Sequence, residues 1–177
     1  MSKKKQLYLY EALELRAEYD ARIKTLKDCL PETKQNRGRS FFSRDDEGMR
    51  RPSGDFNVAD ARKKLRNLEI KRRKLNSSIQ KVNFNYSIEF AGESINLSEA
   101  LETRKGLNER IGELHSQVVD SAYVKVIYKE GRDIVEESEI PYAEACKNLE
   151  EARMTFRELN RKLRLASFET AVEFEDE

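Results

Sequence analysis

The chain has 177 residues, of which 38% are charged and 38% hydrophobic, and its 34 Lys and Arg nearly cancel its 33 Asp and Glu. That length suits one domain, or one domain of two similar halves, and the mean hydropathy of −0.83 fits long solvated helices that each bury one stripe. No stretch approaches the ~20 apolar residues of a membrane span, and the basic start MSKKKQLYLYEALEL lacks the apolar core and cleavage site of a signal peptide.

A first helix is expected from about Gln6 to Leu30. Leu9, Ala12, Leu15, Tyr19, Ile23, Leu26 and Leu30 recur there at steps of three or four, and Pro31 stops the run. Residues 31–56 then form a long loop rich in Arg, Asp, Ser and Gly, holding Phe41 and Phe42. A loop of that length is either a mobile connection or a docking segment.

A second helix begins near Asp55 or Asn57, both good N-cap types. Its seam of Val58, Ala61, Leu65, Leu68, Arg72, Leu75 and Ile79 has coiled-coil-like spacing. Arg72 interrupts that seam, and either lays its stem along the edge or meets a carboxylate of another helix. Between Arg62 and Lys74 stand eight basic residues and one acid, Glu69. Arg62, Lys63, Arg66 and Arg73 are thereby the candidate nucleic-acid contacts, since clustered Lys and Arg neutralise phosphates. A solvated helix paired within the protein is the favoured reading, because the charges ring the helix and the remainder of the chain is acidic. Residues 1–81 hold 22 Lys and Arg against 12 Asp and Glu, and residues 82–177 hold 12 against 21. The net charges of +10 and −9 should draw such halves together, within one molecule or between copies, so a homo-oligomer is expected.

Strict alternation through Val82, Phe84, Tyr86, Ile88 and Phe90 predicts a strand. A turn at Ala91, Gly92 and Glu93 and a short return over Ser94 to Leu97 follow. A third helix starts from Ser98 and continues through Leu114 and Val118. A strand-like run from Tyr123 to Tyr128 precedes Pro141, which opens a fourth helix with a stripe of Ala145, Leu149, Ala152, Phe156, Leu159 and Leu163.

Two repeats order these elements. EALELRAEYDARI at 11–23 recurs as EALETRKGLNERI at 99–111, and RKLNSSIQKVNFNYSIEF at 73–90 recurs as RELNRKLRLASFETAVEF at 157–174. Each half therefore reads as helix, connection, helix, strand. The expected fold is mainly α with minor β, a single domain over 1–177. Two duplicated helical hairpins, 9–90 and 97–174, form an antiparallel four-helix bundle, each followed by a β-strand. The two terminal strands, Val82 to Phe90 and Ser167 to Phe174, are expected to pair with each other. Phe84, Ile88, Phe168 and Val172 would then cover one end of the bundle, with the 94–97 and 123–128 runs extending the same sheet.

LYEALELRA at 9–17, INLSEALETRKGL at 95–107 and ELNRKLRLASFET at 158–170 resemble a family of small bacterial helical proteins that carry the name septicolysin. The chain departs from that pattern at Asn160, Ser167 and Phe168. The resemblance implies a compact, mainly helical, bacterial protein without an established activity. Its name suggests a cytolysin, but no apolar segment here suits bilayer insertion.

Catalytic chemistry finds little footing. The single histidine, His115, has Gly112 three residues earlier, so the Glu-x-x-His pairing of helical metal sites is missing. Cys29 and Cys146 have no metal-ligand spacing and no adjacent base, and read as buried thiols of a cytoplasmic protein. Non-enzymatic chemistry without cofactor or metal is expected. The polar residues repeated in both halves, Glu11, Arg16, Asn76, Glu99, Arg104 and Asn160, are read as structural, bonding helices to one another and to the strand junctions.

Overall fold

The computed structural model describes residues 5–30, 52–129, 131–136 and 138–174. Most of the 31–56 loop lies outside the described residues. Those described are mainly helical with minor β: four helices and three two-stranded sheets. The chain divides into two compact units, Met1–Ile79 with Val172–Glu177, and Gln80–Ala171.

The first unit holds β1 (Lys5–Tyr8), α1 (Leu9–Cys29) and most of α2 (Val58–Asn85). The start of α2 is set by Asn57, whose Oδ1 accepts from the amides of Ala59 (2.9 Å) and Asp60 (3.2 Å), satisfying orphan donors of the first turn. The two helices run antiparallel. Arg16 Nη1 donates to Asn76 Oδ1 at 3.2 Å, Arg72 Nε meets Asp20 Oδ1 at 2.9 Å, and Lys27 Nζ meets Glu69 Oε1 at 2.9 Å. Leu9, Ala12, Tyr19, Ile23, Ala61, Leu75 and Ile79 are the buried stripe. The acid that meets Arg72 thus comes from α1, not from the acidic second half of the chain.

Within the second unit, β2 (Ser87–Phe90) and β3 (Glu93–Asn96) form an antiparallel hairpin, with Phe90 opposite Glu93. Its two-residue turn, Ala91 and Gly92, has positive φ at both positions, 52° and 86°, as a type I′ turn requires. Next come α3 (Leu97–Ser121), the hairpin β4 (Lys125–Lys129) and β5 (Arg132–Glu136), and α4 (Tyr142–Glu169). The amide of Leu97 donates to the Tyr86 carbonyl, and the Tyr86 hydroxyl donates to Glu169. The start of α3 therefore lies by the end of α4, so these helices are also antiparallel. Leu97, Ala100, Leu114, Ala145, Leu149, Leu159 and Ala166 are buried.

The chain ends its described part in β6 (Ala171–Phe174), which pairs with β1. This corrects the expectation that the two terminal strands pair with each other: β2 pairs with β3 and β6 with β1. Both strands are also shorter than expected, because α2 continues to Asn85 and α4 to Glu169. Leu75, Ile79, Val82 and Asn83 keep helical spacing, and the Tyr86 amide still bonds the Val82 carbonyl. The apparent alternation failed at Phe84, which is 62% exposed, and Phe168 is likewise 57% exposed. Only Ile88 and Val172 of the four expected end-covering residues are buried. The 123–128 run forms its own hairpin rather than extending the β2–β3 sheet. Helix α3 is capped by Asn96 rather than Ser98, and α1 begins at Leu9, after a strand that takes up Gln6 to Tyr8.

Candidate functional site

Three surfaces carry the polar and apolar groups that chemistry could use. The first is the basic stretch of α2. At about 100° per residue, Arg62, Arg66 and Arg73 fall within about 40° of one another, while Lys63 stands to one side. All four are solvent-facing or nearly so, and among the described residues no carboxylate pairs with them. Glu69, on the same face as the three arginines, is engaged by Lys27.

The second is a cleft of about 650 Å³ between α1 and α2, lined by Tyr19, Arg22, Leu26, Lys64, Leu68 and Lys71 among others. Its floor is apolar and its rim basic. Arg22 is held along its own helix by Glu18.

The third is the β4–β5 hairpin. Its register places Val126 opposite Val135, Ile127 opposite Ile134 and Lys125 opposite Glu136, and Lys125 Nζ reaches Glu136 Oε2 at 3.2 Å. Directly opposed residues share a face, so Val126, Val135 and Tyr128 lie on one side and Ile127 and Ile134 on the other. Tyr128 is 81% exposed and Val135 53%, and Tyr123 and Val124 just before the hairpin are exposed too. A solvent-facing surface seldom gathers so many bare aliphatic and aromatic side chains without a binding role. The sequence showed the run from Tyr123 to Tyr128 but not its return strand; Gly131, at φ 79° between two β-branched runs, was the available signal.

The repeated polar residues separate into two behaviours. Glu11 Oε2 accepts from the Tyr8 amide at 2.8 Å, and Glu99 Oε2 accepts from the Asn96 amide at 2.9 Å. Each glutamate therefore ties the first turn of its helix back to the strand before it, and Asn96 accepts a bond from the Glu99 amide in return, completing a capping box. Arg16 and Asn76 are joined across two helices, whereas their counterparts Arg104 and Asn160 are not bonded to each other, and Arg104 is exposed. Lys162 donates to the Glu89 carbonyl and sits 6.0 Å from the centre of the Phe90 ring, fixing β2 against α4.

Cys29 is exposed, which corrects its reading as a buried thiol; it occupies the last position of α1, where the apolar stripe has passed on to Leu30. Cys146 is half-buried and His115 exposed. The Tyr142 phenol is pushed up from its ordinary value, first by its hydrogen bond with the Cys146 thiol. That of Tyr10 is raised by desolvation and then by Glu11. Both phenols stay protonated at neutral pH. Among the described residues no group of three His, Cys, Asp or Glu is placed to hold a metal ion, and no helix is long and apolar enough to cross a membrane.

No family model and no curated protein matches the chain. A crystal structure of a functionally unknown conserved protein from Corynebacterium diphtheriae is similar to it, with a TM-score of 0.67 over 96% of this chain and 100% of that one, at 16% identity. At that identity the likeness concerns the fold alone.

Proposed function

We propose that the chain is a non-enzymatic interaction protein that assembles with copies of itself, built from two copies of a strand–helix–helix–strand unit. The bare apolar surface of the β4–β5 hairpin carries this reading, since such patches mark binding faces. The bipolar charge of the two halves of the sequence supports it by favouring encounter between copies. The duplication is supported by element ends that coincide at the repeat spacing: α2 and β2 end at Asn85 and Phe90, α4 and β6 at Glu169 and Phe174. Light scattering of the full chain at low and moderate salt tests the assembly. A mass above that of the 20.7 kDa chain that declines with salt is expected, and a monomer at both salts overturns it.

A second reading is a nucleic-acid binder using α2, supported by the shared, exposed face of Arg62, Arg66 and Arg73. Gel shift with single- and double-stranded nucleic acid tests it. Binding that falls steeply with salt and weakens when Arg62, Lys63, Arg66 and Arg73 become Ala would support it; no shift even at low salt would rule it out.

A further inference from the structure

We infer that two copies of the chain join through the outer edge of β5, making one four-stranded antiparallel sheet in the order β4, β5, β5, β4. This deepens the assembly reading above and rests on it.

Among the described residues the hairpin is a two-stranded sheet with no further strand on either side. Such a sheet is marginal by itself, and each of its edges offers unpaired backbone N–H and C=O groups. The two edges differ in what a second copy would meet. When two β5 strands lie antiparallel about a twofold axis centred on Ile134, Arg132 falls opposite Glu136 of the second copy, and Glu136 opposite its Arg132. Both side chains are exposed, so each contact is an opposite-charge cross-strand pair, repeated twice by symmetry. Glu136 already receives Lys125 from its own hairpin, and a carboxylate has acceptor capacity for both cations.

The β4 edge has the opposite character. It carries the exposed Lys125 at its start, and lysine on an outer strand is a common guard against further addition. Pairing therefore stops at two copies instead of running on into a filament. It also places Val126, Tyr128 and Val135 of both copies on one continuous face, doubling the apolar patch that a single hairpin presents. The contact is small beside a standard interface of about 1,600 Å², so micromolar, concentration-dependent association is the expected strength.

Charge exchange provides the test, in sedimentation velocity of the full-length chain. In Arg132→Glu, two glutamates would meet at each contact; in Glu136→Arg, two arginines would meet. Each variant alone should lose association by roughly tenfold or more. An equimolar mixture of the two should regain it, because opposite charges can again meet across the axis, and the triple variant K125E/R132E/E136R, which also keeps an opposite-charge pair at positions 125 and 136 within each hairpin, should associate like the wild type. Circular dichroism of each variant separates lost association from lost folding. Single variants that associate as tightly as the wild type would overturn the β5 edge while leaving self-assembly in place. A wild-type chain that remains monomeric to several hundred micromolar overturns the assembly reading itself. Failure of the mixture to recover also counts against the edge, since misfolding is monitored separately.

Discussion

Arg72 of α2 meets Asp20 of α1 at 2.9 Å, so the charged residue that interrupts the apolar seam of α2 is answered by a carboxylate from the antiparallel helix. The side chains of Arg72 and Asp20 are 42% and 50% exposed, so solvent screens their attraction and the pair is worth about 0.2–1 kcal/mol. A double-mutant cycle with Arg72→Ala and Asp20→Ala, followed by urea unfolding, should return a coupling in that range. A coupling of several kcal/mol would show that this contact is desolvated.

Burial divides the apolar residues at the end of α4 and in β6. Phe168 is 57% exposed, while Phe174 is 5% exposed and Leu159 fully buried. Leu159→Ala and Phe174→Ala should each cost roughly 2–5 kcal/mol by opening a cavity, and Phe168→Ala, at a site more than half exposed, should cost about 1 kcal/mol. Equal losses at Phe168 and Phe174, read from denaturant midpoints, would contradict the placement of α4's last turn.

Ala91 holds a positive φ of 52° in the β2–β3 turn, where a Cβ is crowded against the backbone. Replacing it with Gly removes that strain but adds freedom to the unfolded chain. Ala91→Gly is expected to stabilise by up to about 1 kcal/mol. A loss of stability, measured by thermal unfolding, would indicate that the methyl group contributes packing that outweighs the strain.

The closing strand of the first unit comes from the far end of the sequence. Val172 and Phe174 are buried in β6, which pairs with β1. Deleting residues 171–177 should lower the melting midpoint by roughly 10 °C, from lost burial alone. An unchanged melting curve would remove β6 from the core.

Much of this fold was legible because helical patterning repeats over many residues. Leu75, Ile79, Leu149 and Leu159 fall on the stripes that their spacing indicates, and Asn57 caps α2 as its residue type suggests. Helix ends were harder. Alternation from Val82 to Phe90 fits a strand, but Leu75, Ile79, Val82 and Asn83 fit a helix equally, and bonding in the first part of that run followed the helix. The turn at Ala91–Gly92 and the return strand after it were legible, and β2 does pair across that turn with β3. The partner of β6 was not, because a pattern that reports only which face is apolar gives no signal for its pairing with β1. Of the polar repeats, the capping roles of Glu11 and Glu99 were within reach, since each stands three residues after its cap. The exposed return strand from Arg132 to Glu136 was too short and too charged to stand out.

Hydrogen exchange of the full chain, followed as protein concentration is raised from the low to the high micromolar range, addresses assembly through β5 most directly. A paired edge buries the outward amides of residues 132–136, so their exchange should slow with concentration while the amides of α1 keep their rates. Slowing elsewhere, with exchange of residues 132–136 unchanged as the chains associate, would contradict it.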